Sequence, residues 1–291
     1  MRPQALQFGI IADVQYADKP QADGRYYRDS LCSLQKAVDS FNSRNLDFVI
    51  QLGDLIDGGE NAEAELKQTA GVFGQIKTRT YHVLGNHDFA GLDRQTTMTA
   101  LKMSEAYYSF DIKGRRCIVL DTQEIAVQGG WSEDSPTYQQ ACQKLEEARA
   151  KGLPNAQTYN GSLGSEQLQW LEAALTEADS EKKPVIVFSH LPLMPPEDKH
   201  AAWNAAEVVS ILEKHPCVMA AISGHNHAGG YTFRNGIHYV TLEGAVDAAA
   251  QDGAWAVVTV TAHTLEIRGF GAVTSRSLPS DIDKSIRSGY N

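Results

Sequence analysis

The strongest constraint on the fold is a pattern that recurs five times. A short apolar run ends in a cluster of carboxylate, amide or imidazole side chains. Phe8-Gly9-Ile10-Ile11-Ala12 runs into Asp13-Val14-Gln15, and Phe48-Val49-Ile50-Gln51-Leu52 into Gly53-Asp54-Leu55-Ile56-Asp57. Tyr81 to Leu84 runs into Gly85-Asn86-His87-Asp88, Val185-Ile186-Val187-Phe188 into Ser189-His190, and Cys217 to Ile222 into Gly224-His225-Asn226-His227. Apolar runs of four to six residues that end at glycine or a polar residue read as buried strands. Helical spacing separates the first three. Leu31, Leu34, Ala37, Val38 and Phe41 share one face of a helix over 27–44, and 62–76 reads as the next. Strand–helix–strand order implies parallel strands with crossover helices. The polar clusters then fall at one edge of the sheet, where open α/β sheets hold their ligands.

The middle of the chain changes character. Residues 107–120 read as a hairpin around Lys113-Gly114. Residues 121–164 carry little core pattern apart from a helix near 136–150, and are expected to form an excursion over one face. Further helices are expected around Leu168–Leu175 and Val208–Leu212, then short strands at 236–242, 255–261 and 265–268. The segment from Leu278 to Asn291 is polar and reads as a loose tail. The expectation is one domain over 1–291.

Composition excludes several classes. The chain has 291 residues, 42% hydrophobic and 21% charged, which suits a globular protein with a large core. Its formal net charge of -10 argues against a general nucleic-acid binder, because phosphate backbones would be repelled away from any local cationic site. No apolar run approaches the ~20 residues that span a bilayer, and the first residues lack a signal-peptide core. Cys32, Cys117, Cys142 and Cys217 are widely spaced without a C-x-x-C pair, so buried reduced thiols and a cytoplasmic location are expected.

The clusters also limit the chemistry. Asn86 offers a carbonyl oxygen that never titrates, and His87 an imidazole that carries a proton near neutral pH. Carboxylate, amide and imidazole donors meeting at one sheet edge suit a pair of divalent cations. Such a pair clamps both oxygens of an in-line displacement at phosphorus.

The order of these motifs resembles the calcineurin-like metallophosphoesterase superfamily over nearly the whole chain. The resemblance implies a four-layer α/β/β/α sandwich with two mixed sheets and two metals at the strand ends. It implies that Asp54 bridges the metals, that Asp13, Gln15 and His227 hold the first, and that Asn86, His190 and His225 hold the second. It implies that His87 donates a proton, that Asp57 orients it, and that a bridging hydroxide attacks. Where the superfamily commonly has Asp-x-His, this chain has Asp13-Val14-Gln15. An amide oxygen in place of a nitrogen favours Mn²⁺, with Mg²⁺ second, over zinc.

That departure narrows the resemblance. Asp13-Val14-Gln15-Tyr16-Ala17-Asp18, Arg25-Tyr26-Tyr27-Arg28, Ser189-His190-Leu191-Pro192, Ala202-Trp203-Asn204 and Gly229-Gly230-Tyr231 are similar to the manganese-dependent ADP-ribose/CDP-alcohol diphosphatases. The implied partners are small nucleoside diphosphate derivatives, with no nucleic acid, membrane or obligate protein partner. The implied reaction cleaves the diphosphate linkage to give a nucleoside monophosphate. The competing readings are another superfamily activity, a cyclic-nucleotide phosphodiesterase or phosphomonoesterase, and a non-catalytic scaffold. Tyr16, Trp203 and Tyr231, each close in sequence to a ligand motif, are the candidates for holding the base.

Overall fold

The fold is described from a computed structural model, over residues 4–279. In chain order its elements are β1 (Leu6–Ile11), α1 (Ser30–Asn42), β2 (Phe48–Gln51), α2 (Ala62–Phe73), β3 (Arg79–His82), α3 (Arg94–Ala100), β4 (Tyr108–Ile112) and β5 (Arg115–Val119). There follow β6 (Ile125–Ala126), α4 (Pro136–Ala150), β7 (Gly161–Ser162), α5 (Ser165–Ser180), β8 (Val185–Phe188), α6 (Ala205–Lys214) and β9 (Val218–Ser223). Strands β10 (Ala228–Arg234), β11 (Ile237–Glu243), β12 (Ala254–Val260), β13 (Thr264–Gly271) and β14 (Arg276–Pro279) complete the set.

Twelve strands form two six-stranded mixed sheets, ordered β14-β13-β12-β1-β2-β3 and β10-β11-β9-β8-β5-β4, and β6 and β7 pair with each other as a small antiparallel sheet. Within the first, β1, β2 and β3 are mutually parallel, and β12 joins β1 antiparallel. Within the second, β5, β8, β9 and β11 run parallel. Side-chain alternation in β8 sets the layering. Ile186 and Phe188 enter the core between the sheets, where Phe188 meets Phe8 edge-on at 5.7 Å. Val185 and Val187 turn outward, into a second core with α5 and α6. Helix α1 covers the other outer face with Leu34, Ala37, Val38 and Phe41. The result is the expected α/β/β/α sandwich.

Several boundaries differ from the sequence reading. Strand β3 stops at His82, before Val83-Leu84, and the Val83 N–H makes the last bond to β2, at the Gln51 carbonyl. Strand β10 escaped the periodicity argument, since its opening Ala228-Gly229-Gly230 lacks strand-forming side chains. The presumed tail begins with β14, which pairs antiparallel with β13; from Ser280 onward it lies outside the described residues. None of the four cysteines forms a disulfide, but of the expected buried thiols only Cys117 is buried: Cys142 and Cys217 are half-buried and Cys32 is exposed on α1. Among the described residues no helix is long and apolar enough to cross a membrane.

Candidate metal centre

The C-terminal ends of β1, β2, β3, β8 and β9 meet at one edge of the sandwich. Asp54 lies at the middle, fully buried. Its Oδ2 is 3.3 Å from His190 Nε2 and 3.2 Å from Gln15 Nε2. On one side, His190 Nε2 is 3.2 Å from Asn86 Oδ1 and 3.1 Å from His225 Nδ1. On the other, His227 Nε2 is 3.6 Å from Asp13 Oδ1 and 3.2 Å from Gln15 Nε2. The donor atoms of Asp54, His190 and His225 all lie within 4.8 Å of one another.

The backbone is bent hard to achieve this. Asp13, Gln15, Asp54 and His225 all have positive φ, at 53°, 41°, 57° and 68°. Other non-glycine residues of this kind, such as Lys113 and Asn235, sit in exposed turns. Positive φ at buried carboxylate and amide residues is strain that persists only where the surroundings over-determine it. Asp88 supplies that constraint. Its buried carboxylate accepts from the N–H groups of Asp54 at 2.9 Å, Leu55 at 2.8 Å and Gly85 at 2.9 Å. Burial, and then the charge of Asp54, push Asp88 up to about 7. Gly85 must lack a side chain, since a Cβ there would lie 2.1 Å from Asp54 Oδ1.

Three imidazoles are aimed by their outer nitrogens. His190 Nδ1–H donates to the Leu52 carbonyl at 2.8 Å, His225 Nε2–H to Asn160 Oδ1 at 3.2 Å, and His227 Nδ1–H to Asp247 Oδ1 at 3.0 Å. With the outer nitrogens engaged, the inner nitrogens of all three rings are the ones turned into the cluster, and outer-nitrogen bonds of this kind orient metal-binding histidines. Gln15 Oε1 is buried with no hydrogen-bond partner. A half-turn of that amide exchanges its nitrogen and oxygen. The oxygen would then face Asp54 and His227, the orientation a cation would select. Electrostatics point the same way. Burial pushes His190 and His227 down, but nearby carboxylates outweigh it. Asp54 raises His190 to about 9, and Asp13 with Asp247 raises His227 to about 10. Burial, followed by the charge of His190, holds His225 well below its ordinary value. Burial opposes the charge on Asp54, yet His190 and His87 keep its pKa far below the carboxylate range. The carboxylates thus draw positive charge into the cluster, and divalent cations are the other source of it. The residues present fit two such ions.

His87 lies at the rim. Its backbone N–H donates to Asp54 Oδ1 at 2.8 Å. Its Nδ1–H donates to the backbone carbonyl of Asp57 at 2.8 Å. Asp57 was expected to orient His87, and both its carbonyl and its carboxylate lie beside that ring. The carboxylate is 3.5 Å from Nδ1 and is engaged by Lys19, so the main chain makes the closer contact.

The calcineurin-like phosphoesterase family profile matches residues 6–229. The chain belongs to this family. It is 34% identical to the manganese-dependent ADP-ribose/CDP-alcohol diphosphatase of Arabidopsis thaliana, over 92% of this chain and 95% of that protein. It is 32% identical to the mouse protein of the same name, over 93% of this chain and 92% of that one. Among solved structures, a dimetal phosphatase from Danio rerio superposes with a TM-score of 0.86 at 29% identity, over 95% of this chain and 99% of that chain.

The three residues expected to hold a base in this phosphoesterase are engaged in other contacts. Tyr16 is 5% exposed, packs in the main core and donates its hydroxyl to Gln68. Its backbone pairs with Ile56 as a single bridge, which turns the ring inward and leaves no face for stacking. Trp203 packs against the small core beside α4 and donates to the Gln157 carbonyl. Tyr231 is exposed on β10 and bonds His238. The excursion and the segment between β8 and α6 supply neighbours of His225. The Tyr159 ring lies 5.4 Å from that of His225, and His200 lies 5.5 Å from His225 and 5.8 Å from Tyr159. Sequence reasoning missed Asp88, Asn160, Asp247, Tyr159 and His200. Only Asp88 had a signal, its place at the end of the Gly85-Asn86-His87-Asp88 cluster.

Proposed function

We propose that this chain is a dinuclear-metal phosphohydrolase that cleaves the diphosphate linkage of ADP-ribose and CDP-alcohols to a nucleoside monophosphate. It acts as one metallophosphoesterase domain whose excursion at 121–164 closes over the strand ends. The observation that carries the reading is the set of three imidazoles held by their outer nitrogens with their inner nitrogens turned into the cluster around Asp54 and Asp13. The relatives named for this activity, with the same name in plants and animals, support the substrate class.

In this reading Asp13, Gln15 and His227 would hold one cation, Asn86, His190 and His225 the other, and Asp54 both. Bound there, the cations polarise a phosphoryl oxygen and acidify water near neutral pH. Gln15 and Asn86 add ligands without adding negative charge, so the loaded site keeps a positive charge that attracts phosphate. His87 is held at Nδ1 by the Asp57 carbonyl, so it carries its transferable proton at Nε2 and delivers it to the departing phosphate. Asp88 keeps the β2 and β3 ends in register while charge moves. Partners are small nucleoside diphosphate derivatives, Mn²⁺ is the preferred ion, and the compartment is cytoplasmic.

The test is a panel of ADP-ribose, CDP-choline, a cyclic nucleotide and a phosphomonoester, each with Mn²⁺, Mg²⁺ or Zn²⁺ and with products identified. Nucleoside monophosphate released from the first two, best with Mn²⁺, supports the reading. Faster turnover of the cyclic nucleotide or monoester overturns it.

A further inference from the structure

We propose that Arg94 and Gln128 form a positioning relay, in which Arg94 clamps the 121–131 loop and Gln128 on that loop fixes the Asn86 amide, so that a residue of α3 sets affinity for one of the two cations.

Arg94 is 7% exposed, on the first turn of α3. Nearly every polar atom it has is spent on one loop. Its backbone N–H donates to the Gly130 carbonyl at 3.1 Å. Nε donates to the Gly129 carbonyl at 2.9 Å, Nη2 to the Gln123 carbonyl at 2.7 Å, and Nη1 to Asp121 Oδ2 at 2.5 Å. The guanidinium is also sandwiched between rings, 4.7 Å from Phe89 and 4.5 Å from Trp131. A planar fork with fixed donors holds several carbonyls at once, which a lysine cannot do. The segment so held is otherwise short of regular structure, with two residues in β6.

The clamp leads to the metal centre through one side chain. Gln128 is exposed, and its Oε1 accepts from Asn86 Nδ2 at 3.2 Å. An amide has two ends of equal shape and opposite polarity. Engaging the NH₂ end on Gln128 leaves Oδ1 as the end that faces His190 Nε2. Without that acceptor the amide turns freely, and half its orientations present a donor to a cation. Helix α3 is itself tied to the site, since Thr97 Oγ1 donates to the Asp88 carbonyl at 2.9 Å.

The proposal rests on the two-cation reading, and its test separates the two. Mn²⁺ binding is measured by titration calorimetry and by paramagnetic resonance of free Mn²⁺, on the full chain. Gln128 is exposed, so its variants keep the fold, and thermal melts check this. Gln128→Ala is expected to weaken one of two Mn²⁺ sites by about tenfold, the low end for groups that orient a ligand. Gln128→Glu keeps an acceptor oxygen and restores the affinity. Arg94→Lys weakens the same site, and the double variant Arg94→Lys/Gln128→Ala is no weaker than the stronger single, because both act through one amide. If the parent binds two Mn²⁺ and Gln128→Ala binds them equally well, the relay is wrong and the two-cation reading stands. If the single effects multiply, Arg94 acts on the fold and the relay is equally wrong. If the parent binds no second Mn²⁺, the two-cation reading falls and takes the relay with it.

Discussion

The two sheets contribute different chemistry to one site. The first sheet, through β1, β2 and β3, brings oxygen donors: Asp13, Gln15, Asp54 and Asn86. The second, through β8 and β9, brings nitrogen donors: His190, His225 and His227. The local mechanics differ as well. Three of these four oxygen-bearing residues from the first sheet sit at positive φ, and at Asp54 the Asp88 carboxylate braces that bend. The histidines of the second sheet are aimed through their outer ring nitrogens, by a carbonyl, an amide and a carboxylate. Neither sheet is independent of the other. His190 leans on the Leu52 carbonyl of the first sheet, and the His225 N–H donates to both oxygens of Asp13, at 3.1 and 2.9 Å. The site is therefore also a staple between the sheets. Charge comes from one side and softness from the other.

The most damaging way to break this division is to remove its shared oxygen donor. Asp54→Ala deletes the carboxylate placed between the two donor groups. Activity should fall to background and both Mn²⁺ ions should be lost, read by metal analysis of the purified variant. Retention of two ions would show that Asp54 does not bridge. The next largest effect concerns His87, the proposed proton donor. His87→Ala should lower kcat by about 10²–10⁴-fold while two ions stay bound. The deficit should shrink for p-nitrophenyl esters, whose leaving group needs no proton. A lost ion would move His87 among the ligands.

Crossing the division sharpens it. Gln15→His puts a nitrogen donor on the oxygen side. Relative activity with Zn²⁺ over Mn²⁺ should rise about tenfold, since imidazole suits zinc and hard oxygen suits manganese. Assays of metal-stripped protein reloaded with each ion check this. An unchanged ratio would mean that position 15 does not set metal choice.

How much of this was legible in sequence also divides along physical lines. Strand ends were legible because burial forces apolar runs and catalysis forces polar residues after them. The roles of residues on loops were not. Tyr159, Asn160 and Gln128 lie in a segment without periodicity, so nothing in their spacing announces that the loop folds back onto His225 and Asn86. Tyr16 failed for another reason. Adjacency to Gln15 placed it near the site in sequence, but the backbone twist at Gln15, φ 41°, sends the next ring into the core. The Asp57 carbonyl that meets His87 Nδ1 was not legible either, because a sequence displays side chains and hides carbonyls.

The smallest expected effect lies away from the cations and compares the sheets through their titration. His82, on edge strand β3, stacks tilted against Phe73 at 5.1 Å, and burial pushes its pKa down to about 4. On the other sheet, burial also lowers His238, but its hydrogen bond to the Pro279 carbonyl opposes that shift. A histidine whose folded pKa lies below its unfolded value of about 6.5 favours the neutral form in the fold. Its contribution is whole above pH 6.5 and is lost as pH falls toward 4, because the unfolded chain takes up the proton first. At 1.36 kcal/mol per unit the bound is about 3 kcal/mol, and partial exposure of the ring reduces this to about 2 kcal/mol. Denaturant unfolding of metal-stripped protein at pH 7.5 and about pH 4.5 measures it. His82→Gln should remove about 2 kcal/mol of the stability lost between those pH values. His238→Gln should remove less, since the carbonyl already stabilises the charged ring. Equal effects from the two variants would mean that burial alone governs both histidines and that the Pro279 contact contributes nothing.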